Sequence, residues 1–221
     1  MKKLSMLLLS TLFLASILNA GYNQERKVLT SIKVLQDIVK APKMGATQKM
    51  LQNAKAIAVF PNTMKSAFLI GGIMGSGVMS VRDENGKWSE PIFVKLRGLS
   101  AGLQIGFKAT DIVMLFKTDR SLDGLANGEV TLGVDAGVVA LARGTKQTAQ
   151  TDGKLAANIR SFGRSSGYYI GASISGGTLS VNDNDDFDYY DDLVYIDDIL
   201  AGDRIKDRPE SRKFEKALNN L

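Results

Sequence analysis

The run Ala56-Ile57-Ala58-Val59-Phe60-Pro61, answered by Gly71-Gly72-Ile73-Met74-Gly75-Ser76-Gly77-Val78-Met79-Ser80-Val81, decides how this chain folds. Both stretches are dense in β-branched and apolar residues and end in turn formers, so they read as strands. The same composition fills Phe68 to Val81 as a whole, Ile92 to Phe107, Asp111 to Lys117, Glu129 to Ala142 and Gly167 to Val181. Between two of these runs, Asp83-Glu84-Asn85-Gly86-Lys87 reads as a hairpin turn, because Asn-Gly readily takes positive backbone angles. Much of the chain's glycine, 22 residues in all, lies inside the runs rather than between them. Glycine weakens an ordinary strand, so its repeated use implies bends, bulges or close backbone approach in a tightly curled sheet. The expected fold class is therefore α+β: a single domain with a strongly curved antiparallel β-sheet or barrel, N-terminal amphipathic helices and a short C-terminal helix.

Outward from the strands, the period of the sequence changes. Gln24 to Lys40 sets Val28, Ile32, Leu35 and Val39 on one helical stripe, with Leu29 and Ile38 beside it and Arg26, Lys27, Lys33 and Lys40 off it. Such a basic amphipathic helix either packs on the core of its own domain or contacts lipid. Pro42 stops it, and Thr47 to Lys55 forms a second helical stretch carrying Met50, Leu51 and Ala54. Beyond the last strand, Asp183 to Asp203 holds 9 acidic residues and no basic one. It reads as an acidic solvated loop fastened to the sheet by Tyr189, Tyr190 and Tyr195. Glu210 to Leu221 then places Phe214, Leu218 and Leu221 on one helical face after Pro209.

The first residues have the build of a secretory signal peptide. Lys2 and Lys3 precede an apolar run, Leu4 to Leu18, interrupted by Ser5, Ser10, Thr11 and Ser16, and Leu18-Asn19-Ala20 supplies the small residue before a cut. The run is shorter than the about 20 residues that span a bilayer. The expectation is a signal at residues 1–20, an exported chain working in the periplasm or outside the cell, and one domain over residues 21–221. The formal charge of +5 becomes +3 once Lys2 and Lys3 are removed. Its distribution is uneven: Gly21 to Thr110 carries 13 Lys and Arg against 5 Asp and Glu. A positive side that meets anionic surfaces and a negative side that avoids them follow from this asymmetry.

Composition also excludes chemistry. With no cysteine there is no disulfide, thiolate metal site or lipid-modified N-terminal Cys, and with no histidine there is no Ser-His-Asp or Cys-His triad and no His-ligated zinc. Gly71 to Gly77 completes neither the dinucleotide nor the phosphate-loop fingerprint, since no Gly-Lys-Ser/Thr follows and the chain continues as strand. Asp183 to Asp188 offers hard oxygen ligands, yet Phe187 and Asp188 stand where a calcium loop turns sharply, and Val194 cannot close the site. Ser100, Ser161, Ser165 and Ser166 lie near basic residues but lack an activating base. No cofactor is implied, and nucleic acid is not an expected partner.

Several ordered motifs together resemble the SYLF domain, also called the yeast actin-binding module. They are Ala56 to Pro61, Gly71-Gly72 with Gly75 and Gly77, Trp88-Ser89-Glu90-Pro91, Gly102-Leu103-Gln104-Ile105-Gly106, Leu132-Gly133-Val134-Asp135-Ala136, Ser161-Phe162 with Ser165 to Tyr169, and Tyr189-Tyr190. The likeness covers residues 30 to 195 and departs at Lys65-Ser66-Ala67, at Ser161-Phe162 and at Asp191, where the family commonly has Gly. It implies a lipid-binding module of the phosphoinositide-binding kind, with a bacterial branch of exported proteins; actin binding is implied by the family name, though an exported chain would meet no actin.

Residues and resemblance converge on a non-enzymatic module of the bacterial envelope, associated peripherally with anionic phospholipid through basic residues and an apolar surface. The candidate lipid-binding residues are Lys43, Lys49, Lys55, Lys65, Lys95, Arg97 and Lys108. The alternative is an envelope structural factor whose partner is another protein.

Overall fold

The computed structural model describes residues 23–40, 45–67, 71–100, 106–122, 124–132, 159–165, 168–171, 177–203 and 205–221. The signal at residues 1–20 and the glycine motifs at 102–105 and 133–137 lie outside them.

Eight strands form one antiparallel sheet: β1 (Ala56–Ala67), β2 (Gly71–Val81), β3 (Ile92–Ser100), β4 (Gly106–Phe116), β5 (Glu129–Leu132), β6 (Ile159–Ser165), β7 (Tyr168–Gly171) and β8 (Gly177–Val181). Their order is β5-β8-β3-β2-β1-β4-β6-β7, which makes β5 and β7 the outer strands among the described residues. Two expected long runs are each split: Ile92 to Phe107 divides between β3 and β4, and Gly167 to Val181 between β7 and β8. The central strands are buried on both faces, as Val59, Phe60, Phe93, Val94, Val113 and Met114 show. That explains their near-continuous hydrophobicity.

The curl is built into β1. Its pairing with β4 runs to Phe60↔Ile112 and resumes at Thr63↔Thr110, and with β2 it runs to Val59↔Val78 and resumes at Met64↔Met74. One extra residue is thereby inserted, a bulge that bends the strand. Pro61 fits there because it has no N–H to give to a ladder. Asn62 takes the left-handed conformation (φ 51°), and its N–H donates to Asp111 Oδ1 at 3.0 Å. Beside the bulge, the β2 backbone presses close at Gly77, where a Cβ would lie 2.0 Å from Val59 O. The hairpin at Asp83–Lys87 closes with Gly86 N–H donating to Asp83 O at 3.1 Å and Gly86 at φ 84°. Gly86 alone takes the positive angle, so the turn is a type I turn with a glycine bulge.

Helix α1 (residues 23–40) lies against the sheet with Val28, Ile32, Val34, Leu35 and Ile38 buried. Of its two readings, packing on its own domain holds. α2 (Gly45–Gln52) follows, with Leu51 buried. α5 (Pro209–Asn219) begins with Pro at its first position and buries Phe214 and Leu218, and Leu221 beyond it is also buried.

The acidic segment corrects an expectation. It is not a solvated loop but two helices, α3 (Asp183–Tyr190) and α4 (Ile196–Ala201). Tyr189 and Tyr190 are buried, stacked edge-to-face at 4.9 Å, whereas Tyr195 is exposed and stands at the start of α4, its N–H donating to Asp198 Oδ2 at 2.9 Å. Asp186 is buried as well, its Oδ1 accepting the Phe93 N–H at 2.9 Å. β8 leaves β3 at Val181↔Val94, and the Asp186 carboxyl caps the next free donor of the β3 ladder. Burial pushes its pKa up to about 8 against the lowering effect of the Phe93 bond.

Candidate functional site

Residues opposed in register share a face, so the side chains of one face can be followed across the sheet. Val78 and Phe93 are opposed and buried, with the Phe93 ring 5.1 Å from that of Tyr189. Two residues along, Ser76 opposes Lys95, and both are half-buried. Here α1 reaches the sheet: Lys27 Nζ donates to Ser76 Oγ at 2.8 Å and pairs with Asp185 at 2.6 Å, and Gln24 Nε2 donates to Asp185 Oδ1 at 2.9 Å. Two residues further, Arg97 opposes Met74 and Met74 opposes Met64. All three are exposed, Met64 at 62% and Met74 at 63%. The same face thus passes from core, to a latched rim that includes Lys95, to an open patch of two thioethers beside Arg97.

The Lys27–Asp185 pair is the latch of that rim, and its side chains are largely shielded. Lys27→Ala strands a half-buried carboxylate, and a hydrogen bond to a charged group is worth about 1.5–3 kcal/mol. A loss of about 2 kcal/mol is expected in urea denaturation, with most of it absent from the Lys27→Ala/Asp185→Asn pair. An equal loss in the double variant would show that the pair is not the source. Arg164 with Asp37 at 2.5 Å and Arg208 with Glu25 at 3.5 Å also hold α1. Arg208 also pairs with Asp191 at 2.8 Å and lies over the Tyr189 ring. Asp191 is left-handed (φ 56°), which is the conformation that favours the family's usual glycine, and Lys206 and Arg208 hold its carboxyl below the ordinary carboxylate range.

The seven basic candidates do not form one site. Lys43 lies outside the described residues. Lys49 is exposed on α2, and Lys55 precedes β1 and pairs with Asp119 at 3.6 Å, so both belong to the opposite end of the sheet. Lys95 and Arg97 fall together on the open face, with no acidic partner among the described residues. Lys65 on β1 and Lys108 on β4 are opposed in the register pair next to Met64↔Ala109. Four of the seven therefore gather at one sheet end. Met64 and Met74 were missed as candidates: the bulge in β1 moves Met64 to the face opposite the one that strict alternation assigns it, and so brings it against Met74.

Other chemistry finds little footing. Ser161 is fully buried and its Oγ has no hydrogen-bond partner among the described residues. Among the described residues, no group of three or more His, Cys, Asp or Glu is placed to hold a metal. Buried acids do cluster near α5: Glu90 is shifted up by burial, Tyr189 up to about 12, and Tyr190, which donates to Pro91 O at 2.7 Å, is shifted up as well. Each is raised chiefly by burial, and each hydroxyl has a structural partner, Tyr189 bonding Ser211 Oγ at 3.0 Å. Among the described residues no helix is long and apolar enough to cross a membrane.

Comparison with known proteins adds the family. Residues 97–221 match the model of the Ysc84 family, described as Las17-binding protein actin regulator. LAS seventeen-binding protein 3 of Saccharomyces cerevisiae is 30% identical over 205 residues, covering 85% of this chain and 44% of that protein. Human SH3 domain-containing YSC84-like protein 1 is 26% identical over 187 residues, covering 82% and 54%. Protein YSC84 of Saccharomyces cerevisiae is 29% identical over 198 residues, covering 85% and 42%. The chain spans about half the length of these relatives or less.

Proposed function

Because the chain belongs to the Ysc84 family of Las17-binding protein actin regulators, we propose that it is a non-enzymatic binding module whose open sheet end meets an anionic phospholipid surface. The observation that carries this reading is the placement of half-buried Lys95 and exposed Arg97 on one face with the exposed Met64 and Met74. Cations near an anionic surface contribute about 1 kcal/mol each, and exposed apolar side chains between them can enter the headgroup boundary. With its apolar stripe turned to the core, α1 is not the lipid-contacting element of this reading. Export directed by residues 1–20 would make envelope phospholipid the available polyanion.

Lys95→Glu/Arg97→Glu should weaken flotation with vesicles of equal phosphatidylglycerol and phosphatidylcholine by roughly thirty- to several-hundred-fold, given about 1 kcal/mol for each cation lost and as much again for its reversal. Wild-type binding should fall with salt. Equal binding to pure phosphatidylcholine vesicles, or binding unchanged in the charge-reversed variant, would count against the proposal. A second reading is favoured by the relatives' names, which specify a protein partner. A single salt-resistant partner recovered equally by wild type and the charge-reversed variant would support that reading instead.

A further inference from the structure

We infer that Met64 and Met74 form a paired sulfur site at which a two-electron oxidant of the peroxide class writes sulfoxides, and that this modification switches off the open sheet face. The binding consequence rests on the lipid reading above; the selectivity of oxidation does not.

Three observations carry the inference. The two residues are opposed in register on adjacent strands and are exposed at 62% and 63%, while Met79 and Met114 are fully buried and Met50 is partly buried against the core. The chain has no cysteine, so methionine is its only sulfur and no thiol competes for the oxidant. Met74 also opposes Arg97 on the next strand. Directly opposed Cβ atoms lie about 4.5–5.5 Å apart, which brings a flexible thioether and a guanidinium within reach of each other.

The chemistry is balanced with hydrogen peroxide as the oxidant. A lone pair of the methionine sulfur attacks one peroxide oxygen, an S–O bond forms and the O–O bond breaks. The sulfur loses two electrons, and the departing hydroxide takes up the proton released from the transferred oxygen to leave as water. The product replaces an adaptable apolar side chain with a polar one. Its oxygen is a strong acceptor facing Arg97, so the patch loses apolar contact and the guanidinium gains an internal partner in place of a phosphate.

The test treats the purified protein with hydrogen peroxide, maps added oxygen by peptide mass spectrometry, and measures flotation with equal phosphatidylglycerol and phosphatidylcholine vesicles. Peptides containing Met64 and Met74 should gain oxygen well before those containing Met79 and Met114. Flotation should then fall about ten-fold, as expected when the contribution of one buried side chain is lost. Flotation of Met64→Leu/Met74→Leu, taken relative to that variant's own untreated sample, should be insensitive to peroxide, and Met64→Gln/Met74→Gln should mimic the oxidised state. Oxidation of Met79 and Met114 at the same rate would overturn the site. Undiminished flotation with both residues oxidised, or an equal loss in the leucine variant, would overturn the switch alone. No flotation of untreated protein would overturn the lipid reading and the switch together, leaving selective oxidation decided by the mapping.

Discussion

Replacing Gly77 with alanine is expected to cost about 3 kcal/mol or more, the range of the larger overpacking penalties. An added Cβ would stand 2.0 Å from Val59 O and 2.8 Å from both Val59 C and Phe60 Cδ1. The first two are backbone atoms of the neighbouring strand, so relief requires β1 and β2 to separate where Val59 and Val78 pair. For a chain of this size each kcal/mol moves the melting temperature by about 2–4 °C, and a drop of roughly 10 °C should appear in a thermal melt. Gly86→Ala is the matched comparison. Its φ of 84° is unfavourable for alanine, yet nothing lies within 4 Å of the new Cβ. Its cost should be about 1 kcal/mol, the price of the backbone angle alone. Similar losses for the two variants would show that close strand approach is not what Gly77 provides.

Asp186→Asn should change the pH dependence of stability more than its value in acid. The folded carboxyl has its pKa raised to about 8, from an ordinary value of 3.8, because burial disfavours the charge. Asp183 and Asp185 push in the same direction, and Lys27 and the Phe93 N–H oppose them. Between about pH 4 and pH 8 the folded state therefore holds a proton that the unfolded chain releases. Its stabilising contribution is full below about pH 4, declines on the order of 1.4 kcal/mol per pH unit across the window, and is gone above about pH 8. Asparagine keeps an oxygen for the Phe93 N–H and has no charge to bury. The variant should resemble wild type in urea denaturation near pH 4 and exceed it by several kcal/mol near pH 8. Parallel stability curves across that range would rule out Asp186 as the source.

What was legible in the sequence was what the local chain dictates. The strand runs declared themselves because the middle of the sheet is buried on both faces, so Val59, Val94 and Val113 sit in dense apolar stretches. The stripe of α1 and the Phe214–Leu218 face of α5 followed from helical spacing. β6 was not legible: Ile159-Arg160-Ser161-Phe162-Gly163-Arg164-Ser165 is too polar to read as a strand. Its Arg164 answers Asp37 of α1, a partner 127 residues away. α3 escaped for a similar reason. Asp and Asn are poor helix formers, and the helix stands on tertiary anchors: Tyr190 on Pro91, Tyr189 on Ser211 and Asp186 on Phe93. At the candidate site, Lys95 and Arg97 could be named from charge alone. Their company could not, because strict alternation from Val59 assigns Met64 to the opposite face, and the bulge at Pro61 to Thr63 moves it back.

The latching of α1 also has a kinetic meaning. Ser76 is 49 residues beyond Lys27, but the charged partners of α1 lie much further along the chain: Asp185 is 158 residues beyond Lys27, and Arg208 is 183 beyond Glu25. A chain made from its N-terminus thus completes α1 first and the residues that fasten it last. Contacts of such long separation form slowly, since loop closure must precede them. Until the sheet beneath it has formed, the stripe of Val28, Ile32, Leu35 and Ile38 is uncovered, and transiently exposed apolar surface of this kind is what chaperones recognise and aggregation exploits. The face that the docked helix hides in the finished protein is an adhesive one in the nascent chain.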